Sequence, residues 1–288
     1  MILLADSGST KTDWALLPCT VDEGEAACFQ TQGINPVLMD DAAIVTLLKE
    51  QLSPYLTDRD ITSLFFYGAG CRPEQVAKMQ GALTAACFNA ATTPPPIHIH
   101  SDMLGAARAL CQHSEGIACI LGTGANSCLY DGSNIVDNRP ALGFILGDEG
   151  SGAVLGKRFV NALYEGRMPA DMLAGFEQAT GLTLPRLIDR VYRQPMPNRF
   201  LASLAPFIHQ QLHREEVRLL VTENFRDFLH NNILRYGRND LPVNAVGSIA
   251  YHFAPQLHEA AGAEGVHIGN IIKSPMEGLM DYHRATAI

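Results

Sequence analysis

The chain opens on a strand–turn–strand pattern and then repeats it. MILLAD (residues 1–6) is a short apolar run, SGST (7–10) is a turn crowded with small and hydroxyl residues, and TDWALL (12–17) is apolar again. At residues 116–132, GIACILGTGANSCLYDG gives an apolar strand, a Gly-Thr-Gly turn and a second strand. Two copies of one local plan predict a duplicated domain architecture. A length of 288 residues suits two domains, and 47% hydrophobic content suffices for two cores.

Between these units the spacing predicts α/β alternation. A third strand falls at ACFQTQ, a helix over 40–57, a buried strand at SLFFYGAG, a helix over 73–90 opened by Pro73, and a short strand at IHIH followed by the helix LGAARALCQH. Beyond residue 150 the pattern turns helical, over 151–167, 171–180, 184–192, 200–213 and 215–236. LPVNAVGSIA and GVHIGNII read as two further strands, and residues 274–287 as a closing helix.

The charge balance of 21 Lys and Arg against 30 Asp and Glu gives −9, with no basic block. It argues against nucleic acid and anionic membrane as partners. Phosphate is still admissible, because backbone N–H groups hold it without side-chain charge. Seven cysteines form no CxxC, which predicts reduced, structural thiols and a cytoplasmic protein. MILLAD lacks the basic n-region of a signal peptide, and no apolar run approaches a membrane span.

Five short motifs carry candidate chemistry. In DSGSTKTDW (6–14), the turn residues Ser7, Gly8, Ser9 and Thr10 can wrap terminal phosphates, and Lys11 adds positive charge. Asp6 beside them suits Mg²⁺ held through water, since that ion keeps much of its hydration. In LGTGANS (121–127), Gly122, Thr123 and Gly124 form a second such jaw. Neither turn is a GxxxxGK[ST] loop or a GxGxxG fingerprint. ILGDEGSG (145–152) sets Asp148 and Glu149 between glycines, as a turn closely approached by a sugar would need. Asp102, between a strand and a helix, reads either as a helix cap or as a general base at a cleft mouth. Gly247-Ser248, after a buried strand, makes a ledge on which adenosine could lie. His98 and His100 alternate with isoleucine on one strand face, where a structural role is expected.

In this order the five motifs resemble the actin-like ATPase and sugar kinase superfamily, and within it the N-acetylglucosamine kinase family of BadF/BadG/BcrA/BcrD-type ATPases. The resemblance spans nearly the whole chain. It implies two actin-like (ribonuclease H-like) α/β domains, each a mixed sheet flanked by helices, with a cleft between them. The domains would be 1–101 and 102–274, with helix 275–288 packing back on the first. It implies ATP and Mg²⁺ as cofactors and an amino sugar, foremost N-acetylglucosamine, phosphorylated on its 6-hydroxyl. By position, Thr10 and Thr123 match phosphate-contacting threonines, and Asp102 matches the catalytic base. Asn35 (in GINP) and Asp148 match sugar contacts, and Gly68, Ala125, Asn126, Gly143 and Glu149 lie in the same sugar-holding segments. GAGC (68–71) and PALGFIL (140–146) depart from the animal members at two sugar loops. A homodimer is one expectation from relatives. Two other readings stay open: a BadF-type ATPase acting on a partner protein, and a non-catalytic ATP or sugar sensor. The first needs clustered cysteines for an iron–sulfur cluster, and those here are scattered.

Overall fold

The computed structural model describes residues 1–8, 10–18, 25–57, 59–88 and 93–286. The chain divides into two compact units, Met1–Ser114 with Gly132–Asn134 and Pro275–Ile288, and Glu115–Asp131 with Ile135–Ser274. The first division falls after residue 114 instead of at the expected 101/102, because helix α4 (Asp102–Cys111) packs on the first sheet and on the C-terminal helix.

The first unit is a five-stranded mixed sheet of order β3-β2-β1-β4-β5. β1 (Ile2–Ser7), β2 (Lys11–Leu17) and β3 (Ala27–Gln32) form an antiparallel meander. β4 (Ser63–Gly68) and β5 (Ile97–Ser101) join it in parallel. Strand alternation sorts the side chains into two layers. Leu3, Ala5, Leu64, Phe66 and Ile99 pack with Ile44, Leu48, Met79 and Leu83 of α1 (Asp41–Gln51) and α3 (Val76–Cys87). Ile2, Leu4, Ala15 and Leu17 pack with Met276, Phe65 and Met280, two of them from the closing helix α14 (Met276–Thr286). Each fully buried Leu contributes roughly 1.5–3 kcal/mol by leaving water.

The expected helix over 40–57 is two pieces. Asp40 caps α1 by accepting from the Ala43 N–H at 2.7 Å. The chain then restarts as the single turn α2 (Ser53–Leu56), because Pro54 has no N–H to continue the ladder. Pro73 opens a 3₁₀ turn, Pro73–Gln75, before α3 begins. The end of the expected 73–90 helix and the start of the TTPPP break lie outside the described residues.

The second unit repeats the sheet with order β10-β9-β6-β7-β8. β6 (Glu115–Leu121), β7 (Ala125–Asp131) and β8 (Ile135–Asn138) are antiparallel neighbours, and β9 (Val243–Val246) and β10 (Ile268–Ile272) run parallel to β6 and to each other. Helices fill the interval from β8 to β9: α5 (Gly143–Leu146), α6 (Gly152–Tyr164), α7 (Met172–Thr180), α8 (Leu184–Tyr192), α9 (Pro197–Ala202), α10 (Ala205–Gln210) and α11 (Glu215–Phe228). α12 (Ser248–His252) and α13 (Ala254–Glu264) link β9 to β10. Sequence spacing misses β8 and α5. It also predicts one helix over 200–213, where Pro206 instead opens α10 after a break, and one over 215–236, where α11 stops at Phe228 and continues as a π-turn, Leu229–Ile233. No helix among the described residues is long and apolar enough to cross a membrane.

Of the cysteines, Cys71, Cys111, Cys119 and Cys128 are buried as expected of structural thiols. Cys28 is exposed, because β3 is an edge strand whose outer positions meet solvent.

Candidate active site

In the first unit, register brings three strand ends together. Ser7 pairs with Gly68, and Gly68 with Ser101. The turn between β1 and β2 is closed by the Gly8 N–H donating to the Lys11 carbonyl at 3.0 Å, and the Thr10 carbonyl accepts from the Gly33 N–H at 3.0 Å. Gly8 and Thr10 are exposed at its tip, and Ser9 lies outside the described residues. Ser7, expected among the phosphate contacts, is fully buried. Its Oγ lies 2.8 Å from Thr12 Oγ1 and 3.1 Å from both the N–H and the carbonyl of Ile34. That hydroxyl therefore braces the turn from beneath. Lys11 reaches sideways, with its Nζ 2.8 Å from the Asp13 carboxylate.

Carboxylates gather below this turn. Asp6 pairs in register with Asp13, so the two project from the same sheet face. Burial first, then the charges of Asp13 and Asp102, push the Asp6 carboxyl up to about 7, and the Lys11 ammonium offsets only part of that. Unbalanced negative charge of this kind fits a divalent cation. No group of three His, Cys, Asp or Glu side chains able to enclose a metal occurs among the described residues. Asp6 thus suits an ion that stays largely hydrated, such as Mg²⁺.

Asp102 is the first residue of α4, and the cap of that helix is the preceding residue. Ser101 Oγ accepts from the Leu104 N–H at 3.2 Å. The capping alternative raised by the sequence therefore belongs to Ser101. The Asp102 carboxylate accepts the neighbouring Met103 N–H at 2.9 Å. Burial raises its pKa, opposed by the backbone N–H groups of Met103 and of Asp102 itself. A carboxylate moved up toward neutral is a better proton acceptor than one at its ordinary value.

Asn35 sits in the loop after β3. Its Oδ1 accepts from the Val37 N–H at 3.0 Å, which holds the side chain in an Asx turn. It lies against Gly70, where φ is +79° and an added Cβ would meet Asn35 Cγ at 3.0 Å. Gly68 is equally confined, since a Cβ there would meet Cys71 Sγ at 2.9 Å. Asn35, in a loop, Gly68, at the end of β4, and Asp102, at the start of α4, thus lie at one end of the first sheet.

In the second unit the Gly122–Gly124 turn is built on backbone. Gly122 N–H donates to the Gly124 carbonyl at 3.0 Å. The first N–H groups of α6 donate outward to the turn, Gly152 to Gly122 at 2.8 Å and Ala153 to Thr123 at 3.2 Å. Those groups would otherwise lack helical partners. Gly247, with φ +126°, presses against the same turn: an added Cβ would meet the Leu121 carbonyl carbon at 2.7 Å. The Gly-Thr-Gly and Gly-Ser segments, more than a hundred residues apart in the chain, are thereby adjacent.

Asp148 has φ +59°, an uncommon conformation for a residue with a side chain. Its carboxylate accepts the backbone N–H groups of Gly143 and Ala125, while burial, the stronger effect, raises its pKa. Buried Asn224 secures the loop beneath, accepting from the Gly150 N–H at 3.3 Å and donating to the Ser151 carbonyl at 3.4 Å. A cavity of about 250 Å³ opens here, lined by Ala125, Asn126, Asp148 and Glu149. Four of the sequence-predicted sugar residues thus share one pocket. Gly143 supports it through its bond to Asp148.

Sequence reading missed Arg139, Asn231 and Asn232, which line the same cavity. The asparagines come from the π-turn, and no local pattern marks them. Asp13 was also missed, although hairpin pairing across the quoted turn would have set it opposite Asp6.

No family model matches the chain, and no curated protein does either. Among solved structures, a candidate N-acetylglucosamine kinase from Porphyromonas gingivalis is 46% identical, with 100% of each chain covered and a TM-score of 0.92. A candidate N-acetylglucosamine kinase from Chromobacterium violaceum is 17% identical over 98% of each chain, with a TM-score of 0.73. A candidate N-acetylmannosamine kinase from Listeria monocytogenes is 16% identical over 100% of this chain and 99% of its own, with a TM-score of 0.56. At the two lower identities the likeness speaks to the fold alone. Two five-stranded mixed sheets flanked by helices, each with a tight turn between its first two strands, are the actin-like fold of the sugar kinases. The chain belongs to the N-acetylglucosamine kinase family.

Proposed function

We propose that the protein is a cytoplasmic kinase that transfers the γ-phosphoryl group of ATP to the 6-hydroxyl of N-acetylglucosamine, giving ADP and N-acetylglucosamine 6-phosphate. The observation that carries the reading is the Asp102 carboxylate, buried, raised in pKa and released from capping by Ser101. Asp102 accepts the hydroxyl proton while the sugar oxygen bonds to the γ-phosphorus and the bond to the β,γ-bridging oxygen breaks. The turns carrying Gly8, Thr10, Gly122, Thr123 and Gly124 hold phosphate oxygens through the hydroxyls of Thr10 and Thr123 and through backbone N–H groups other than those of Gly8 and Gly122, which close the turns. Gly247 and Ser248 support the adenosine. Mg²⁺ bound near Asp6 would supply charge neutralisation for the phosphates. Asn35, Asn126, Asp148 and Glu149 hold the sugar, and their rigid backbone settings favour positioning over adaptation.

The test is coupled ADP release with Mg·ATP against N-acetylglucosamine, N-acetylmannosamine, glucosamine, glucose and no sugar. Strong stimulation by N-acetylglucosamine is expected. Sugar-independent hydrolysis would instead point to an ATPase serving a partner protein, and no turnover to a sensor. Asp102→Asn retaining near-normal phosphorylation would remove Asp102 as the base.

A further inference from the structure

Behind the carboxylates, on the face of the first sheet that carries Asp6, lies a buried polar network with no place in the chemistry above. Register aligns Asp6 with Tyr67 and Tyr67 with His100. Tyr67 is fully buried. Its hydroxyl receives Arg108 Nη1 of α4 at 2.8 Å and meets His283 Nε2 of α14 at 2.9 Å. Burial, with Arg108 and the neighbouring histidines, holds His283 down to about 3, so the imidazole is neutral at ordinary pH. Arg108 donates to the Tyr67 oxygen, and the Tyr67 hydroxyl and His283 Nε2 share a second bond whose donor is set by the imidazole tautomer. Arg108 also lies 5.0 Å over the Tyr282 ring, and Gln112 Nε2 bridges the Ala109 and Gly278 carbonyls at 3.0 Å each.

The backbone contacts around this network leave little slack. A Cβ on Gly105, one turn into α4 from Asp102, would meet Tyr67 Cβ and Cγ at 2.9 Å. A Cβ on Gly278 of α14 would meet Ala109 Cα at 2.9 Å. Helix α4 is therefore fixed between a strand and the C-terminal helix through two glycine contacts and a hydrogen-bonded relay. Asp102 is its first residue, so the placement of that carboxylate is the placement of the helix end.

We propose that Tyr67, Arg108 and His283 are positioning residues that let the C-terminal helix set the Asp102 carboxylate in line with the sugar hydroxyl. The proposal rests on the reading of Asp102 as the base. It differs from mere structural support because it predicts a loss in the chemical step with substrate binding retained. None of the three is among the residues assigned to ATP or sugar.

The experiment measures kcat, both KM values and Tm for Tyr67→Phe, His283→Ala, His283→Gln, Gly105→Ala, Leu83→Ala and Asp102→Asn in the full chain. Tyr67→Phe keeps the ring and breaks the relay, and Gly105→Ala shifts α4 without deleting a bond. Both are expected to lower kcat about tenfold or more, with KM for ATP and sugar within about twofold, as small misplacements of a reacting group do. His283→Ala should match them, and His283→Gln, whose amide can replace Nε2, should recover most of the rate. Leu83→Ala, in the core on the opposite sheet face, should lower Tm while leaving kcat unchanged. Wild-type kcat in Tyr67→Phe and Gly105→Ala, or a fall in kcat in Leu83→Ala as large as theirs for the same drop in Tm, would overturn the proposal. If Asp102→Asn itself stays active, the base reading fails; if it is inactive while Tyr67→Phe is normal, only the positioning role fails.

Discussion

The two sheets share one strand order and differ in what they carry at corresponding strand ends. Read from the edge, both run third, second, first, fourth and fifth strand of the unit. At corresponding places their residues differ in kind. The first unit ends β1 with Asp6-Ser7 and follows β5 with Asp102. The second ends β6 with Ile120-Leu121 and follows β10 with Lys273. At these two corresponding places, carboxylates occur in the first unit and not in the second. The second unit offers a backbone turn pinned by the α6 N-terminus and by Gly247. One frame thus presents side-chain carboxylates at these places in one copy, and a turn held together by peptide groups in the other.

The sharpest way to break that contrast is at Asp102. Asp102→Asn should lower kcat about 10³-fold with folding intact, within the usual range for a lost general base. In the wild-type enzyme the acidic limb of kcat should fall above the ordinary carboxylate value of 3.8, because burial raises the Asp102 pKa. A limb at or below that value would contradict the environment described.

On the second unit, the backbone is the vulnerable part. Gly247→Ala puts a Cβ into the Leu121 carbonyl at a φ that alanine disfavours. A loss of about 2–4 kcal/mol in stability, with KM for ATP raised, is expected in denaturant titration and kinetics. An unchanged variant would mean that the turn and the ledge are not held together as described.

Asp6 gives the first unit a pH signature. Its folded pKa of about 7 lies above its ordinary 3.8, so the folded protein binds the extra proton between those values. Stability contributed by that proton is present at low pH and is lost as pH rises through 7. Asp6→Asn should therefore raise Tm at pH 8 without Mg²⁺ by roughly 4 °C. Mg²⁺ should stabilise the wild type and leave the variant unmoved. His283 acts in the opposite sense. Its folded pKa of about 3 lies below 6.5, so stability is full above 6.5 and declines as pH falls toward 3. His283→Gln should flatten that acid limb in thermal melts.

The smallest effect expected is at Ser101→Ala. Loss of the cap should cost about 1 kcal/mol. A small fall in kcat should accompany it, because α4 then frays at Asp102. The matching change in the second unit, Ser151→Ala, removes the cap of α6, where Ser151 Oγ accepts from the Val154 N–H at 3.1 Å. It should cost similar stability and raise KM for ATP instead of lowering kcat. Equal kinetic signatures from the two variants would erase the distinction between the units.

Sequence alone determined the repeated strand–turn–strand units, the alternating layers of the first sheet and the chemical character of each turn. These follow from short-range rules: side-chain period in strands, glycine at turns, proline at helix starts. It also supplied the five motifs, since each is contiguous. Only the tertiary structure decided which residues face one another. Ser7 looked like a phosphate contact and proved to brace the turn from within, because hairpin register directs it toward Thr12 and Ile34. Asp13 joined the carboxylates by the same register. Asn224, which anchors the Asp148 loop, and Asn231 and Asn232, which line its cavity, lie some eighty residues away with no local signature. The Arg108–Tyr67–His283 relay spans 216 residues of sequence between two of its members. Such contacts cost loop-closure entropy and are repaid only when the whole unit packs. Nothing in a local window of sequence could have specified them.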